Sequence, residues 1–258
     1  MKVLCILQAR LSSKRFKGKV LKKILGKSII QLQIERIHQA KLIDKLIIAT
    51  STSPKDDKII NEVKNDQVFR GPLKNVLKRY YLVAKKFQPD HILRLTADCP
   101  LIDPQIIDQI IEYHLKTNAD YTSNTIKPTY PDGLDVEIFK YSSLVKSFTS
   151  AKKKSELEHV TLYIKNNPEK FKIKNFAHKN DISHLRWTVD YEEDFVLIKK
   201  IYNGLYKRKK IFLMNDILDY ISSNPALENI NSSYERDSGL KKSLIYDKTL
   251  EINDFTKR

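Results

Sequence analysis

Glycine is scarce, with 6 in 258 residues. That scarcity excludes the two glycine-rich phosphate loops a sequence can announce. G-x-x-x-x-G-K-[ST] does not occur, and only Gly18 stands near the N-terminus where a dinucleotide fingerprint wants three glycines. Cysteine is equally thin. Cys5 and Cys99 are the whole complement, with no CxxC pair, no metal-ligand spacing and no secretory leader, so a reduced, cytoplasmic protein is expected. Met1 leads at once into an apolar stretch, which leaves no room for a signal or transit peptide in this reading. No apolar run approaches the length of a membrane span, and no membrane partner is expected. RRM, KH and zinc-finger signatures and internal repeats are all missing.

What is abundant is positive charge: 47 Lys and Arg against 31 Asp and Glu, for a net charge of +16. It is spread along the whole chain, which favours solvated surface charge plus a local anion site over a nucleic-acid interface. A basic nucleic-acid-binding module is the alternative, and its binding would weaken steeply with salt. A hydrophobic fraction of 41% supplies a sizeable core. One domain over residues 1–221 is expected, followed by a polar, poorly packed tail over 222–258.

Apolar strands are predicted at 2–7, 45–49, 67–69 and 91–96, each ending in a polar turn. Helices are predicted between and after them, at 28–39, 55–64, 73–87 and 104–114. This alternation means an α/β fold, with a mostly parallel central sheet flanked by helices. Further strands are predicted at 119–123 and 134–139, and helices at 141–149, 155–165, 192–206 and 214–221. The stretches 171–176 and 185–189 read as a strand pair forming a small arm.

In parallel sheets ligands bind beyond the carboxyl ends of the strands. The basic loop at 8–19 follows the first strand. Arg10, Arg15 and Lys19 there can clamp a polyphosphate; a solvated basic turn is the competing reading. The turn at 50–53, Arg70 and Asp98 fall along the same edge. Asp98 and Asp190 each follow an apolar strand and could share a hard divalent cation, or could simply cap the next helix. His159 is placed on a helix, where a structural role is the commoner one. A Cys99–His159 nucleophile pair lacks an orienting third group. Trp187 reads as core.

These residues also carry a family resemblance. Leu7-Gln8-Ala9-Arg10-x-x-Ser13-x-Arg15-x-x-Gly18-Lys19 resembles the opening signature of the sugar cytidylyltransferases. That family includes the acylneuraminate and 3-deoxy-manno-octulosonate enzymes and a spore-coat-polysaccharide branch. Matching motifs follow in order at 68–80, 94–103, 130–137, 158–161 and 185–190. The resemblance implies a nucleotide-diphospho-sugar transferase (GT-A-like) fold, CTP as donor, Mg²⁺ as cofactor and an acidic sugar of the nonulosonic or octulosonic type as acceptor. A polyol or phosphonate acceptor is the alternative.

By motif, the nucleotide would lie against Leu7, Gln8, Ala9, Arg10, Ser13, Arg15, Lys19, Thr50, Ser51, Arg70, Thr96, Ala97 and Asp98. Arg10, Arg15, Lys19 and Asp98 would be catalytic, and Asp98 and Asp190 would hold the metal. Asp132, Glu137 and His159 would contact the acceptor. A homodimer is implied, as is a possible aminotransferase or other sugar-pathway enzyme as partner. Ser12 stands where many members have glycine, and Asn75 where Asp is frequent. Residues 234–244 resemble the linker that follows this domain in fused relatives.

Overall fold

The computed structural model describes residues 1–13, 15–63 and 66–255, with side chains through Thr249. In chain order the first half forms β1 (Val3–Gln8), β2 (Lys23–Ile24), β3 (Lys27–Ser28), α1 (Ile29–Ile37), β4 (Lys45–Ser51), α2 (Asp57–Glu62), β5 (Gln67–Gly71), α3 (Val76–Phe87), β6 (His91–Thr96) and α4 (Pro104–Thr117). The second half forms β7 (Tyr121–Ser123), β8 (Glu137–Lys140), α5 (Tyr141–Ser150), α6 (Lys154–Glu158), α7 (Leu162–Lys165), β9 (Ile173–Asn175), α8 (Glu192–Leu205), α9 (Met214–Ser222) and α10 (Ser238–Phe255).

Among these residues a seven-stranded sheet runs in the order β5-β4-β1-β6-β8-β7-β9, beside a two-stranded β2-β3 hairpin. β5, β4, β1 and β6 are mutually parallel, and β8 enters antiparallel to both β6 and β7. The sheet is buried on both faces. Val3, Cys5 and Leu7 of β1 join the cluster under α1, α4, α8 and α9, whereas Leu4 and Ile6 join the one under α3, α5 and α7. A strand covered on both sides must be apolar at consecutive positions, which is why β1 reads as an unbroken hydrophobic run. Trp187 is fully buried in the first cluster.

Helix starts follow from local chemistry. Ser28 and Gln31 form a reciprocal capping box at α1. Asp103 accepts from the amides of Gln105 and Ile106, and Pro104 opens α4. Asn75 accepts from Lys78 N at the start of α3, a role that needs no charge. The expected helix at 55–64 is shorter, a 3₁₀ turn followed by α2, and its last predicted residue, Lys64, lies outside the described residues.

Three expectations are corrected. Residues 171–176 and 185–189 do not pair as an arm: β9 extends the main sheet by pairing with β7, and the later stretch makes only an isolated bridge, Asp132 to Arg186. Sequence alternation alone could not tell an edge strand from an arm. The predicted helix at 155–165 is broken, since α6 ends with His159 in a non-helical conformation before α7 begins. The described part of the segment after residue 222 is docked at points rather than loose. Leu227, Asn231 and Asp247 are buried, and α10 lies against α6.

His114 of α4 sits fully buried, its Nε2 3.0 Å from His91 Nδ1 and its Nδ1 2.9 Å from Thr122 Oγ1. Burial, then the neighbouring His91, hold the His114 pKa down at about 3, against an ordinary 6.5. The unfolded chain therefore takes up a proton at that site below pH 6.5 while the folded chain does not, so the contribution is complete above 6.5 and lost as pH falls. The stability of the wild type relative to His114→Gln is predicted to fall by about 1.4 kcal/mol per pH unit across the acid side of this window, measured by urea unfolding. A pH-independent difference would contradict the neutral-pair assignment.

Candidate active site

The carboxyl edge of β1, β4 and β6 carries the centre of the site. Lys19 follows Gly18, whose backbone is left-handed at φ 67° and turns the basic loop back over the sheet. Ser12 is not among the left-handed residues, so the serine is no burden there. The loop sends Lys19 Nζ between two carboxylates, 2.7 Å from Asp98 Oδ2 and 2.8 Å from Asp190 Oδ1. Arg15 reaches the same Asp190 oxygen at 2.6 Å. Two aspartates far apart in sequence thus share one ammonium.

Neither aspartate is a helix cap. Asp103 caps α4, and Asp194 Oδ2 accepts from the amides of Asp190 and Tyr191 before α8. Asp98 is held in place through its own carbonyl, which accepts from Val189 N at 2.8 Å and Thr188 Oγ1 at 3.2 Å. Burial alone would raise the pKa of both carboxyls, but the Lys19 charge and its hydrogen bonds hold Asp98 well below the usual range, and Lys19 and Arg15 hold Asp190 down. Burial opposes the Lys19 charge too, and the two carboxylates more than offset it.

Arg186 organises the floor. Its guanidinium pairs with Asp132 at 2.7 Å, Asp194 at 2.9 Å and Asp190 at 3.4 Å. Gly133, at φ 115°, sits where a Cβ would stand 2.5 Å from the Trp187 and Thr188 backbone. Only glycine lets this turn press so closely and align Asp132 with Arg186. Burial and the charge of Asp135 raise the pKa of Asp132 to about 7.

A cavity of about 460 Å³ opens beside this centre, lined among others by Arg15, Thr96, Asp98, Asp132 and Asp190. Its roof comes from the segment expected to be loose. Arg236 pairs with Asp135, Ser238 Oγ accepts from Arg15 at 3.0 Å, and Tyr234 stacks on Tyr191 at 3.9 Å. Farther along, Ser243 Oγ lies 3.1 Å from His159 Nε2 and 3.3 Å from Glu158 Oε2.

Not every predicted site residue meets this centre. Arg10 is half-exposed and reaches Glu158 at 3.4 Å. Leu7, Ala9 and Ala97 are buried, so only their backbone could face a nucleotide. Thr50 and Ser51 are fully buried, and Ser51 Oγ donates to Asp56. The Ser51 hydroxyl is spent on shaping its own turn, which leaves the backbone of Ser51 as the part that could face a base. Arg70 fastens that turn from outside, donating to the carbonyls of Ser51 and Ser53 at 3.1 Å each and pairing with Asp57.

Gln8 Oε1 and Thr50 Oγ1, at the ends of β1 and β4, are buried without partners and are the unspent polar atoms on that side. Ser13 lies in the loop, half-buried. Thr96 Oγ1 lies 3.6 Å from the Cys99 thiol. Glu137 spends its oxygens on Arg94, Thr161 and Tyr121, so it orients neighbours. Cys99 is no nucleophile: burial and the Asp98 charge push its thiol pKa well up.

Sequence reasoning missed Arg186, Asp194 and the roof. Arg186, Asp190 and Asp194 are spaced four apart, a signal for one cation serving two carboxylates that was available in the sequence.

Two carboxylates on one cation form the donor set that a hard divalent ion takes when phosphates and waters fill its other positions. Among the described residues no group of three or more His, Cys, Asp or Glu is placed to make an all-protein cage. The centre therefore fits a metal that arrives with a phosphorylated substrate.

Residues 4–231 match the family model for cytidylyltransferase. The chain belongs to the cytidylyltransferase family. It is 31% identical over 232 residues to the spore coat polysaccharide biosynthesis protein SpsF of Bacillus subtilis, covering 86% of this chain and 95% of the relative. It is 29% identical over 222 residues to a 3-deoxy-manno-octulosonate cytidylyltransferase of Geotalea daltonii, covering 83% and 78%. The structure of a cytidylyltransferase from Leptospira borgpetersenii superposes with a TM-score of 0.86 at 31% identity, covering 91% of this chain and all of that one. Nucleotidyltransferases of this fold share the central sheet of this cytidylyltransferase.

Arg186→Met is predicted to destabilise the protein by about 3–5 kcal/mol, because Asp194 and Asp132 would be left buried without their counter-ion. Urea unfolding checks this; a loss below about 1 kcal/mol, the size of an exposed pair, would contradict a buried network.

Proposed function

We propose that this cytidylyltransferase moves CMP from CTP to an acidic sugar, of the nonulosonic or octulosonic type, with release of pyrophosphate, in the synthesis of a surface polysaccharide or glycan. The observation that carries the proposal is the Lys19 ammonium held between Asp98 and Asp190 at the mouth of a polar cavity. A site that already balances two carboxylates against one cation can exchange that cation for a metal–triphosphate complex at little electrostatic cost. The relative named for 3-deoxy-manno-octulosonate supports the acceptor class.

In this reading Asp98 and Asp190 hold Mg²⁺, which when bound polarises the α-phosphate and offsets its charge. Lys19 and Arg15 turn to the β- and γ-phosphates, and Arg10, the most exposed of the three, closes on them from the rim. An acceptor hydroxyl forms the new bond to the α-phosphorus, the bond to the β-phosphate oxygen breaks in line, and the hydroxyl proton passes to solvent. Negative charge builds on the departing pyrophosphate, where fixed cations stabilise it without reorganising.

Asp98→Asn is predicted to abolish pyrophosphate release while thermal unfolding stays cooperative; near-normal turnover would refute the metal role. Arg15→Ala is predicted to raise KM for CTP or lower kcat, with about 2–4 kcal/mol of transition-state stabilisation lost. Unchanged kinetics would remove Arg15 from the clamp.

A further inference from the structure

One end of the cavity carries charges that CMP transfer, as described, does not use. Arg94 of β6 and Lys165 of α7 both line it, with Glu137 and His159. The charges there do not cancel. Arg94 and Lys165 are both cationic, and Glu137 is held ionised between them. Burial, then the Arg94 charge, lower the His159 pKa, so the imidazole is neutral and adds nothing. Asp132 and Asp135, which face the same cavity, already have Arg186 and Arg236 as partners. Within the Arg94–Glu137–Lys165 cluster two cations meet one carboxylate; Asp237, the remaining carboxylate of the lining, comes from the roof segment.

The donors are also underused. Arg94 gives Nη1 to Glu137, but its buried Nε has no partner. The Lys165 ammonium, with three donors to place, stands 3.5 Å from Thr125 Oγ1 and 3.6 Å from Glu137 Oε2, both at or beyond the limit of a useful hydrogen bond. A buried donor left unmade, here Arg94 Nε, is costly, and Lys165, its side chain 29% exposed, faces the Tyr121 ring and the cavity.

We infer that Arg94 and Lys165 form the subsite that takes the carboxylate of the acceptor. The inference rests on the acidic-sugar reading and deepens it. A guanidinium edge beside an ammonium matches a planar oxyanion, and Glu137 is the positioning residue that keeps both cations turned to the cavity. The site selects by charge, because a neutral acceptor would leave both cations with Glu137 as their shared carboxylate.

The test compares N-acetylneuraminate and 3-deoxy-manno-octulosonate with their methyl esters as acceptors, reading pyrophosphate release from CTP by the wild type, Lys165→Met and Arg94→Lys. For the wild type, the free acid that serves as acceptor should show a KM about tenfold or more below that of its ester. Lys165→Met should raise the KM of the acid by a similar factor, leave that of CTP unchanged and erase the preference over the ester. Arg94→Lys, which keeps the charge and loses the fork, should weaken acid binding less. Equal use of acid and ester by the wild type, or an unaltered acid KM in folded Lys165→Met, would overturn the subsite while leaving acidic-sugar transfer intact. If Arg94→Lys does not fold, the ester comparison and Lys165→Met decide. If neither acid supports pyrophosphate release, the acceptor class falls and the subsite with it.

Discussion

One ammonium group holds this site together. Lys19 is nearly buried, and so would cost free energy to keep charged, yet two carboxylates from opposite parts of the chain offset that cost. Asp98 comes off the end of β6, and Asp190 comes off the extended stretch that runs through Trp187. The loop after β1 brings the cation. Remove the ammonium and Asp98 loses its cation while Asp190 keeps only Arg15 and Arg186, so the loop, the strand end and the segment after it are bound electrostatically as well as by packing. The same balance gives the site its chemistry, because a centre built around one cation can accept another.

Around that centre the charges fall into two groups with different tasks. Arg186 and Arg236 pair with Asp132, Asp194 and Asp135 and so fix the floor and roof. Arg94 and Lys165 share the one carboxylate of Glu137 at the cavity. The first group fixes the fold through its own pairs; the second, two cations on one carboxylate, is where the proposed acceptor subsite lies. α10 closes the cavity with polar contacts, Ser238 to Arg15 and Ser243 to His159 and Glu158, and those can be exchanged for water at small cost. Among the described residues no helix is long and apolar enough to cross a membrane.

The parallel half of the fold was legible because each of its strands is a continuous apolar run stopped by a polar turn, and the helices between them announce their starts with Ser28, Asp103 and Pro104. The position of Asp98 was legible for a related reason, since strand ends in such sheets converge on one edge; Asp190 meets the same Lys19 from an extended stretch that is not a strand of the sheet. The rest was hidden by long-range pairing. Nothing local in residues 171–176 distinguishes an arm from β9 at the sheet edge, since both are short and half-polar. The break at His159 has no Gly or Pro to announce it, and its imidazole meets Ser243 of α10. The tail misled because its contacts are polar: buried Asn231 and Asp247 are hydrogen-bonded to Arg186 O, Asp194 and Ser155 N, so packing was achieved without an apolar stripe for the sequence to display. Thr50 and Ser51 were placed on the right strand end, but which hydroxyls there face a ligand depends on Asp56, five residues on from Ser51.

The most direct test is a crystal structure of the protein with CTP and Mn²⁺, read from the anomalous signal of the metal. The account predicts a metal peak bridging Asp98 and Asp190, with the Lys19 ammonium moved from between them onto a phosphate oxygen. A metal peak away from both aspartates, or Lys19 still lodged between them with nucleotide bound, would contradict it.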